Sequence, residues 1–349
     1  TIRIREKQIP LVSSDRSTIF SYDRFGALRI LNRLRPDLYN LGDVSPFAPS
    51  KFAIGNRRMA WSSGGSNRTI HVINAEQEKR VLGDHGEQVE MLAVSPDDRY
   101  VVSGGTQLRL WDLKDDTSVL LASFPKPVRH LAFVGQTLFC ATAEGKVHRL
   151  ELPSGKAELV GEHGALLRGM VGVVVDPKGR WFATSGVRQR VYLHDLQSGQ
   201  KRLLSEGKKG ARGLAASPDG EFLAMSVADS EVQIVSALAE REPVVLQTRE
   251  RREDLAFPAF SSDGRSLVMS SEHLGVRLWS DWQNKPEESR VLAANDDTSF
   301  PVFSPDGRLI VAPGGDSGFT SVWEVATGQR RDIKGSSTSM QAQYWPAGN

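Results

Sequence analysis

A serine in a glycine-rich segment is the first residue whose setting could carry chemistry. Ser317 lies in GDSG, residues 315–318, within the longer stretch VAPGGDSGFTSVWEV of residues 311–325. A serine hydroxyl becomes a nucleophile when a histidine accepts its proton, an acidic residue orients that histidine, and N–H groups stabilise the oxyanion. GDSG therefore raises two hypotheses, a catalytic serine or a turn between two strands.

The residues around Ser317 favour the turn. GDSG carries the nucleophile in trypsin-like serine proteases, but Phe319 stands where those enzymes usually have a further glycine. None of the histidines has the sequence context of that family, and all of them fall inside the repeats described below: His71, His85, His130, His148, His163, His194 and His273. We therefore expect no catalytic residue, and we interpret GGDSG as a hairpin turn.

A short phrase recurs along the chain about every forty residues. SPDDR begins at Ser95, DPKGR at Asp176, SPDGE at Ser217, SSDGR at Ser261 and SPDGR at Ser304. The first interval, 81 residues, covers two periods, and a unit from 128 without the proline fills the gap. Pro, Asp and Gly in this order are typical of a tight turn between antiparallel strands.

Each repeat contains four stretches that alternate or run apolar over strand length. Two flank the SPDG phrase, and a third, such as LRLWDL or RVYLHDL, precedes a second turn and a fourth stretch such as KRLL. Four strands separated by turn residues are typical of a β-propeller blade. We predict an all-β fold, a single β-propeller of four-stranded antiparallel blades over residues 1–349. Eight blades are favoured and seven are the alternative; the eight units are 9–41, 48–82, 88–121, 127–160, 169–205, 211–247, 253–292 and 298–334.

The third stretches resemble those of the WD-repeat β-propeller family. The resemblance rests on RLWD at 109–112, RLWS at 277–280 and VWEV at 322–325, together with the SPDG turns and the SGK, SGQ and TGQ turns. It covers nearly the whole chain, with divergent repeats of a bacterial type. It implies structural roles for Trp111, Asp112, Trp279 and Trp323.

His85 has a structural role by the same resemblance. In that family a histidine bonds a Ser or Thr and a loop Asp, and this network fastens the blade to its tryptophan. Ser103 and Trp111 are available here, but the loop at 104–107 has no Asp, so we expect a partial network.

Composition and charge exclude several classes of function. The 44 basic and 42 acidic residues leave a net charge of +2, which gives no electrostatic reason to expect nucleic acid or an anionic membrane as partner. The longest apolar runs, such as 170–175, are far shorter than the ~20 residues that span a bilayer. Cys140 is the single cysteine, and no HExxH or Cys/His cluster occurs. We expect no metal, no cofactor and a cytoplasmic location.

Charged clusters mark a candidate interaction surface. GKKGAR at 207–212 and TRERRED at 248–254 both precede a first strand, so both should lie on one rim of the ring, and AANDD at 293–297 adds acid to it. A solvated rim is one interpretation, and a positive patch that docks an acidic segment of a partner is the other. The candidate residues are Lys208, Lys209, Arg212, Arg251, Arg252, Asp296 and Asp297.

The resemblance implies a scaffold, substrate receptor or sensor that binds another protein or a peptide. In bacteria such propellers are often attached to kinases, caspase-like proteases or switch ATPases. Because the chain begins at Thr1 and residues 340–349 look like an unfinished ninth unit, we expect a piece of a longer protein with a catalytic or signalling domain. Residues 1–7 or 340–345 would close the ring. The alternative is an enzyme or a small-ligand-binding propeller with its site at the central pore.

Overall fold

A computed structural model describes most of the chain. The described residues are 8–12, 18–23, 27–32, 35–43, 51–55, 58–63, 68–74, 78–163, 170–186, 190–206, 213–227, 231–247, 257–271, 275–294, 301–304, 306–313 and 319–334. Every regular element in these ranges is a β-strand.

The strands of the first half of the chain are β1 Gln8–Val12, β2 Thr18–Asp23, β3 Ala27–Asn32, β4 Arg35–Asp43, β5 Phe52–Ile54, β6 Arg58–Ser63, β7 Thr69–Asn74, β8 Lys79–Asp84, β9 Met91–Val94, β10 Tyr100–Gly104, β11 Gln107–Asp112, β12 Thr117–Ser123, β13 Val128–Val134, β14 Thr137–Thr142, β15 Lys146–Glu151 and β16 Lys156–Glu162. Those of the second half are β17 Met170–Val175, β18 Trp181–Gly186, β19 Arg190–Asp195, β20 Lys201–Glu206, β21 Leu214–Ala216, β22 Phe222–Val227, β23 Glu231–Ser236, β24 Val244–Gln247, β25 Phe257–Phe260, β26 Leu267–Ser271, β27 Gly275–Trp279, β28 Arg290–Ala293, β29 Val302–Phe303, β30 Leu309–Pro313, β31 Phe319–Glu324 and β32 Arg330–Lys334.

Each group of four consecutive strands forms one antiparallel sheet. Eight such sheets occur among the described residues, and we number them as blades 1–8 in chain order. The prediction of an all-β propeller built from four-stranded antiparallel blades is confirmed. The number of blades in the closed ring remains a prediction, because residues 1–7 and 335–349, expected to close it, lie outside the described part.

First strands of successive blades lie beside each other. β5 contacts β9, β9 contacts β13, and the series continues through β17, β21 and β25 to β29. Stacked in this way, the sheets bury apolar side chains between their faces. Trp111 of blade 3 packs with Ile70 and Val72 of blade 2, and Trp279 of blade 7 packs with Val232 of blade 6. The core therefore consists of successive layers between blades.

The SPDG turns join the first and second strands through one repeated hydrogen-bond pattern. Ser95 Oγ donates to Asp97 Oδ1 at 2.5 Å and accepts from the N–H of Tyr100 at 2.8 Å. The turns at Ser217 and Ser261 repeat both bonds. The fourth residue needs the left-handed backbone region, and four of the five turns place a glycine there, with φ of 69° at Gly179, 68° at Gly220, 72° at Gly264 and 68° at Gly307. Sequence and turn geometry agree.

These turns also connect neighbouring blades. Arg180 of blade 5 donates to Asp176 Oδ2 in its own turn at 2.7 Å and to Glu221 Oε1 of blade 6 at 3.0 Å. Trp181 Nε1 donates to the carbonyl of Gly220 at 2.8 Å. Because Gly220 has no side chain, the turn of blade 6 can lie directly against the Asp176–Arg180 pair. The ends of the blades are thereby held in a fixed relation.

Candidate functional site

Blade 3 contains a buried hydrogen-bond network around Ser103. Ser103 Oγ lies 2.7 Å from His85 Nδ1 and accepts a hydrogen bond from Trp111 Nε1 at 2.8 Å. The hydroxyl of Ser103 has one proton and two acceptor lone pairs, so it can accept from Trp111 and at the same time share a hydrogen bond with Nδ1 of His85, whose direction depends on the imidazole tautomer. His85 directly follows β8, the fourth strand of blade 2. Ser103 therefore connects this residue to β10 and β11, the second and third strands of blade 3.

Glu87 places a carboxylate near His85. Its Oε1 lies 3.8 Å from His85 Nε2, and its carboxylate accepts hydrogen bonds from Thr106 Oγ1 at 2.6 Å and from the N–H of Gln107 at 2.5 Å. Although burial acts to raise the pKa of Glu87, these bonds lower it below its ordinary value. Sequence reasoning missed Glu87 because it searched only the loop at 104–107, whereas this carboxylate precedes the blade.

Blade 5 contains a second network of the same design, which sequence reasoning missed. Thr184 Oγ1 lies 2.8 Å from His163 Nδ1 and 3.4 Å from His194 Nε2. By strand register, Thr184 corresponds to Ser103 and His194 to Trp111. A signal was present in the sequence, because GDHG at 83–86 and GEHG at 161–164 place both histidines at the same point of their repeats.

In blade 5 the imidazole of His194 occupies the position that the larger indole of Trp111 has in blade 3, and the neighbouring residues differ accordingly. His194 stacks on Phe182, with ring centroids 4.3 Å apart and an interplanar angle of 7°. Trp111 instead pairs with Val101 at the equivalent position. A Cβ at Gly161 would lie 2.7 Å from His194 Nδ1, so the glycine makes room for the ring. A large–small pair in blade 3 is thus replaced by two rings of intermediate size in blade 5.

The buried histidines of these networks are neutral at neutral pH. Burial, assisted by the nearby positive charge of Lys201, lowers the pKa of His163 and of His194 to about 4. Burial also lowers the pKa of His85. Neutral imidazole rings that are hydrogen-bonded inside a blade, as His85 and His163 are, are suited to a structural role.

Asp112 ends the third strand of blade 3 and organises the turn after it. It accepts hydrogen bonds from Arg99 Nη2 at 2.8 Å and from the N–H of Lys114 at 2.9 Å. The bond from Arg99 lowers the pKa of Asp112. Its carboxylate is therefore occupied within the blade.

The other two tryptophans from the motif lie in the core of different blades. Trp279 and Trp323 have no exposed surface; Trp279 Nε1 donates to the carbonyl of Pro286 at 2.9 Å and Trp323 Nε1 to that of Leu292 at 3.2 Å. Trp282, outside the motif, is also buried and donates to the carbonyl of Gly264 at 2.8 Å. The structure does not bring these residues to one site.

The predicted interaction rim lies outside the described residues. This applies to Lys208, Lys209, Arg212, Arg251, Arg252, Asp296, Asp297 and Ser317. The strands on either side of GGDSG are described, and β30 pairs antiparallel with β31 up to Pro313 and Thr320. The chain segment 314–318 therefore connects two paired antiparallel strands, as we expected for a hairpin.

A polar cleft opens at the outer side of blades 6 and 7. It has a volume of about 650 Å³ and lies between β24 and the long turn 280–289. Its lining is mixed in charge, with Arg277, Lys285, Asp281 and Glu288, and Lys285 Nζ pairs with Glu288 at 2.9 Å. Because β24 and β28 are outer strands, this cleft is distant from the pore.

In the parts of the chain that the structure describes, no three His, Cys, Asp or Glu side chains gather as metal ligands. The same residues include no helix with the length and apolarity required to cross a bilayer.

Comparisons with known proteins agree with this geometry. The family model "WD domain, G-beta repeat" matches residues 76–112, the segment that contains His85, Ser103 and Trp111. No curated protein matches the chain.

Two solved structures share the fold. A crystal structure of the computationally designed Ika8 protein has a TM-score of 0.72 at 14% identity, over 93% of this chain and 98% of that chain. A crystal structure of the mitotic checkpoint complex contains a chain with a TM-score of 0.57 at 16% identity, over 78% of this chain and 88% of that one. The segment 76–112 thus matches a WD repeat, and the chain has the fold of a β-propeller.

Proposed function

We propose that the chain is a non-catalytic protein-interaction module that binds another protein or a peptide through its loop rim. The observation that carries the proposal is the WD repeat at 76–112 within a propeller of four-stranded blades. WD-repeat propellers generally bind other proteins, and a rigid ring with variable loops is suited to docking.

The hydrogen bonds of the described polar side chains favour a structural role for these groups over a catalytic one. The histidines of blades 3 and 5 are buried and bonded to Ser103 and Thr184. Carboxylates of the SPDG turns accept hydrogen bonds from their own turns, as Asp97 and Asp219 do. Because these side chains are already hydrogen-bonded within the blades, we assign recognition of the partner to the loops.

The loop rim is the surface that we assign to the partner. It consists of the segments that lead from a fourth strand to the next first strand, with five basic candidates, Lys208, Lys209, Arg212, Arg251 and Arg252, and two acidic ones, Asp296 and Asp297. Guanidinium groups favour carboxylates, so we propose an acidic segment as the partner.

Reversing the rim charges tests this assignment. The triple variant Arg212→Glu, Arg251→Glu and Arg252→Glu should weaken partner binding at least about tenfold, because like charges would face the acidic segment. The measurement is a pull-down at fixed salt followed by titration of the recovered protein.

The matched control reverses three exposed cations at the opposite end of the blades, Lys178, Arg265 and Arg308, all in first-to-second-strand turns. First strands run from the rim to these turns, so the control leaves the rim unchanged. Equal binding by both triple variants would remove the rim from consideration.

Non-catalytic function has its own test at Ser317. We expect a fluorophosphonate probe to leave the chain unlabelled, because such probes react only with activated serines. Labelling that disappears in Ser317→Ala would contradict the proposal.

We also propose that the chain serves as the recognition part of a longer protein. The reading frame around the gene segment tests this, since a kinase, protease or nucleotide-hydrolysing domain in the same frame would support it. A stop codon after Asn349 and a start codon directly before Thr1 would overturn it.

A further inference from the structure

A histidine at the end of β16 bridges the interface between blades 4 and 5. The N–H of His163 donates to the carbonyl of Gly145 in blade 4 at 2.8 Å, and its Nδ1 lies 2.8 Å from Thr184 Oγ1 in blade 5. The backbone of His163 is therefore held by one blade, while its side chain is bonded to the next.

Two more imidazole rings face the same interface. His194 Nε2 lies 3.4 Å from Thr184 Oγ1, so the rings of His163 and His194 share one hydroxyl. His130 lies directly opposite Ala141 in blade 4, and Ala141 belongs to the same apolar layer as Phe182 of blade 5. Because directly opposite residues share a sheet face, His130 also points toward blade 5.

The charges that act on these rings disfavour an added proton. Burial is the main cause that lowers the pKa of His163, and the positive charges of Lys201 and Arg190 lower it further. Burial, Lys201 and His163 lower the pKa of His194 in the same way. Protonation of either ring would therefore place a new positive charge beside existing ones.

The carboxylates on this interface already have partners. The other charged or titratable side chains that strand register places here, within the described strands, are Tyr192 and Glu206 in blade 5 and Arg149, Glu151, Lys156 and Glu158 in blade 4. Glu206 pairs with Arg190 and Glu158 pairs with Arg149, while Glu151 lies opposite Lys156.

The interface between blades 2 and 3 is built differently. His85 bridges it through Ser103, but Glu87 Oε1 lies 3.8 Å from His85 Nε2, and its negative charge acts to raise the pKa of His85. Trp111, which does not titrate, occupies the position that His194 has in blade 5. A proton on His85 is therefore compensated by a carboxylate.

Apolar packing is also smaller between blades 4 and 5. Among the described residues, the buried apolar layer of this interface consists of five side chains, whereas the layer between blades 2 and 3 consists of ten. Since apolar burial stabilises roughly in proportion to its area, the polar contacts contribute a larger share of the cohesion between blades 4 and 5.

We propose that the interface between blades 4 and 5 opens locally in acid, because His130, His163 and His194 become positively charged together beside Lys201. Like charges in a layer of low dielectric constant repel one another, and imidazolium rings regain hydration when the blades separate. The interface between blades 2 and 3 should remain closed at the same pH. This conformational change is independent of the partner binding proposed for the rim.

The direction of the effect follows from the pKa values of the three rings. Each has a pKa of about 4 in the closed interface, chiefly because of burial, and an ordinary value of 6.5. Between these values the open form binds more protons than the closed form. Opening should therefore become more favourable as the pH falls below 6.5.

A thiol placed in the interface reports its opening. Val147 has no exposed surface and lies in the layer between blades 4 and 5, so the thiol of Val147→Cys is shielded while the interface is closed. Native Cys140 lies on the neighbouring strand β14, in the layer between blades 3 and 4, and is the matched control. The reporter chain therefore carries Cys140→Ala with Val147→Cys, and the parent chain supplies the control.

The measurement is the rate of labelling by a small thiol-reactive disulfide at pH 7 and at pH 5. Each rate is divided by that of the same chain unfolded in urea at the same pH, which cancels the titration of the thiol itself. We expect this ratio to rise at least about 100-fold for the reporter chain, about tenfold for each of His163 and His194. The rise for Cys140 in the parent chain should be at least about tenfold smaller.

Glutamine variants assign the rise to the histidines. His163→Gln combined with His194→Gln in the reporter chain should lower the rise at least about tenfold, because glutamine keeps a neutral hydrogen-bonding group. His71→Gln is the matched control and should leave the rise unchanged: the pKa of His71 is also about 4, but this ring stacks on Trp61 in blade 2. Circular dichroism at pH 7 checks that each variant is folded.

Three results would overturn the proposal. Equal rises in the reporter chain and at Cys140 would mean that acid unfolds the ring as a whole. A rise that persists in the double glutamine variant would mean that these histidines do not cause it. A ratio for the reporter chain that is the same at pH 7 and pH 5 would show that the interface stays closed.

Discussion

At the scale of single residues, two hydroxyls connect the strands of their blades. Ser103 lies between His85 and Trp111, and Thr184 lies between His163 and His194. Each of these buried hydroxyls stabilises its blade only while the histidines bonded to it keep the protonation state that the hydrogen bonds require. Stability should therefore depend on the charge of the histidines.

Four described histidines, His71, His130, His163 and His194, should make stability depend on pH. Their pKa is about 4 in the folded chain and 6.5 in the unfolded chain, so between these values the unfolded state binds more protons. The free energy of unfolding should therefore have its full value above pH 6.5. It should decrease as the pH drops toward 4, by up to about 1.4 kcal/mol per pH unit for each histidine. Urea unfolding at a series of pH values measures this slope.

His163→Gln keeps a neutral hydrogen-bonding group beside Thr184 and removes one titrating ring. Its slope should be smaller than that of the parent chain. An unchanged slope would mean that His163 does not titrate with folding.

At the scale of the strand, blades 3 and 5 fill one position in two ways. Trp111 packs opposite Val101, while His194 packs opposite Phe182. In a densely packed core the summed volume of two paired side chains can be divided between them in different ways, but an increase in that sum is destabilising. The identity of the third-strand residue is therefore coupled to that of its second-strand partner.

This coupling predicts a compensating pair of substitutions. His194→Trp alone should lower the free energy of unfolding by about 1–3 kcal/mol, because the larger ring meets Phe182. Phe182→Val combined with His194→Trp reproduces the blade 3 pair and should recover most of that loss. A double-mutant cycle by urea denaturation measures the interaction energy. Additive effects of the two substitutions would contradict the coupling.

At the scale of the whole molecule, the SPDG turns couple the blades at one end of the ring. Arg180 contacts Asp176 in blade 5 and Glu221 in blade 6, and Asp176 has no exposed surface. A buried carboxylate depends on its cationic partner far more than an exposed one does. We expect contacts of this kind to make neighbouring blades unfold together.

Arg180→Met removes the side chain that pairs with buried Asp176 in blade 5 and with Glu221 in blade 6. It should lower the free energy of unfolding by about 3–5 kcal/mol, because Asp176 would remain buried without its partner. Arg149→Met is the control, since Arg149 pairs with Glu158, which is 59% exposed, within one blade, and it should cost no more than about 1 kcal/mol. Similar urea midpoints for the two variants would show that the contacts of Arg180 with Asp176 and Glu221 together contribute little.

The spacing of the SPDG phrase and the four short strands in each unit were sufficient to predict the propeller. Turn residues act locally, since a proline, an aspartate and a glycine set backbone angles whatever surrounds them. The expected setting of His85 and Ser103 came instead from the resemblance to WD repeats. The predictions for Arg212, Arg251 and Arg252 remain proposals, because they concern a surface and not a turn.

By itself the sequence determined the repeat, the strand order and the turn chemistry. Only the tertiary structure decided which side chains meet across a blade or between blades. Glu87 lies near His85, and Thr184 lies beside His163 and His194. These relations depend on register and stacking over tens of residues, which periodicity does not encode. For GDSG, the repeat indicated a turn, and the pairing of β30 with β31 placed that segment between two antiparallel strands.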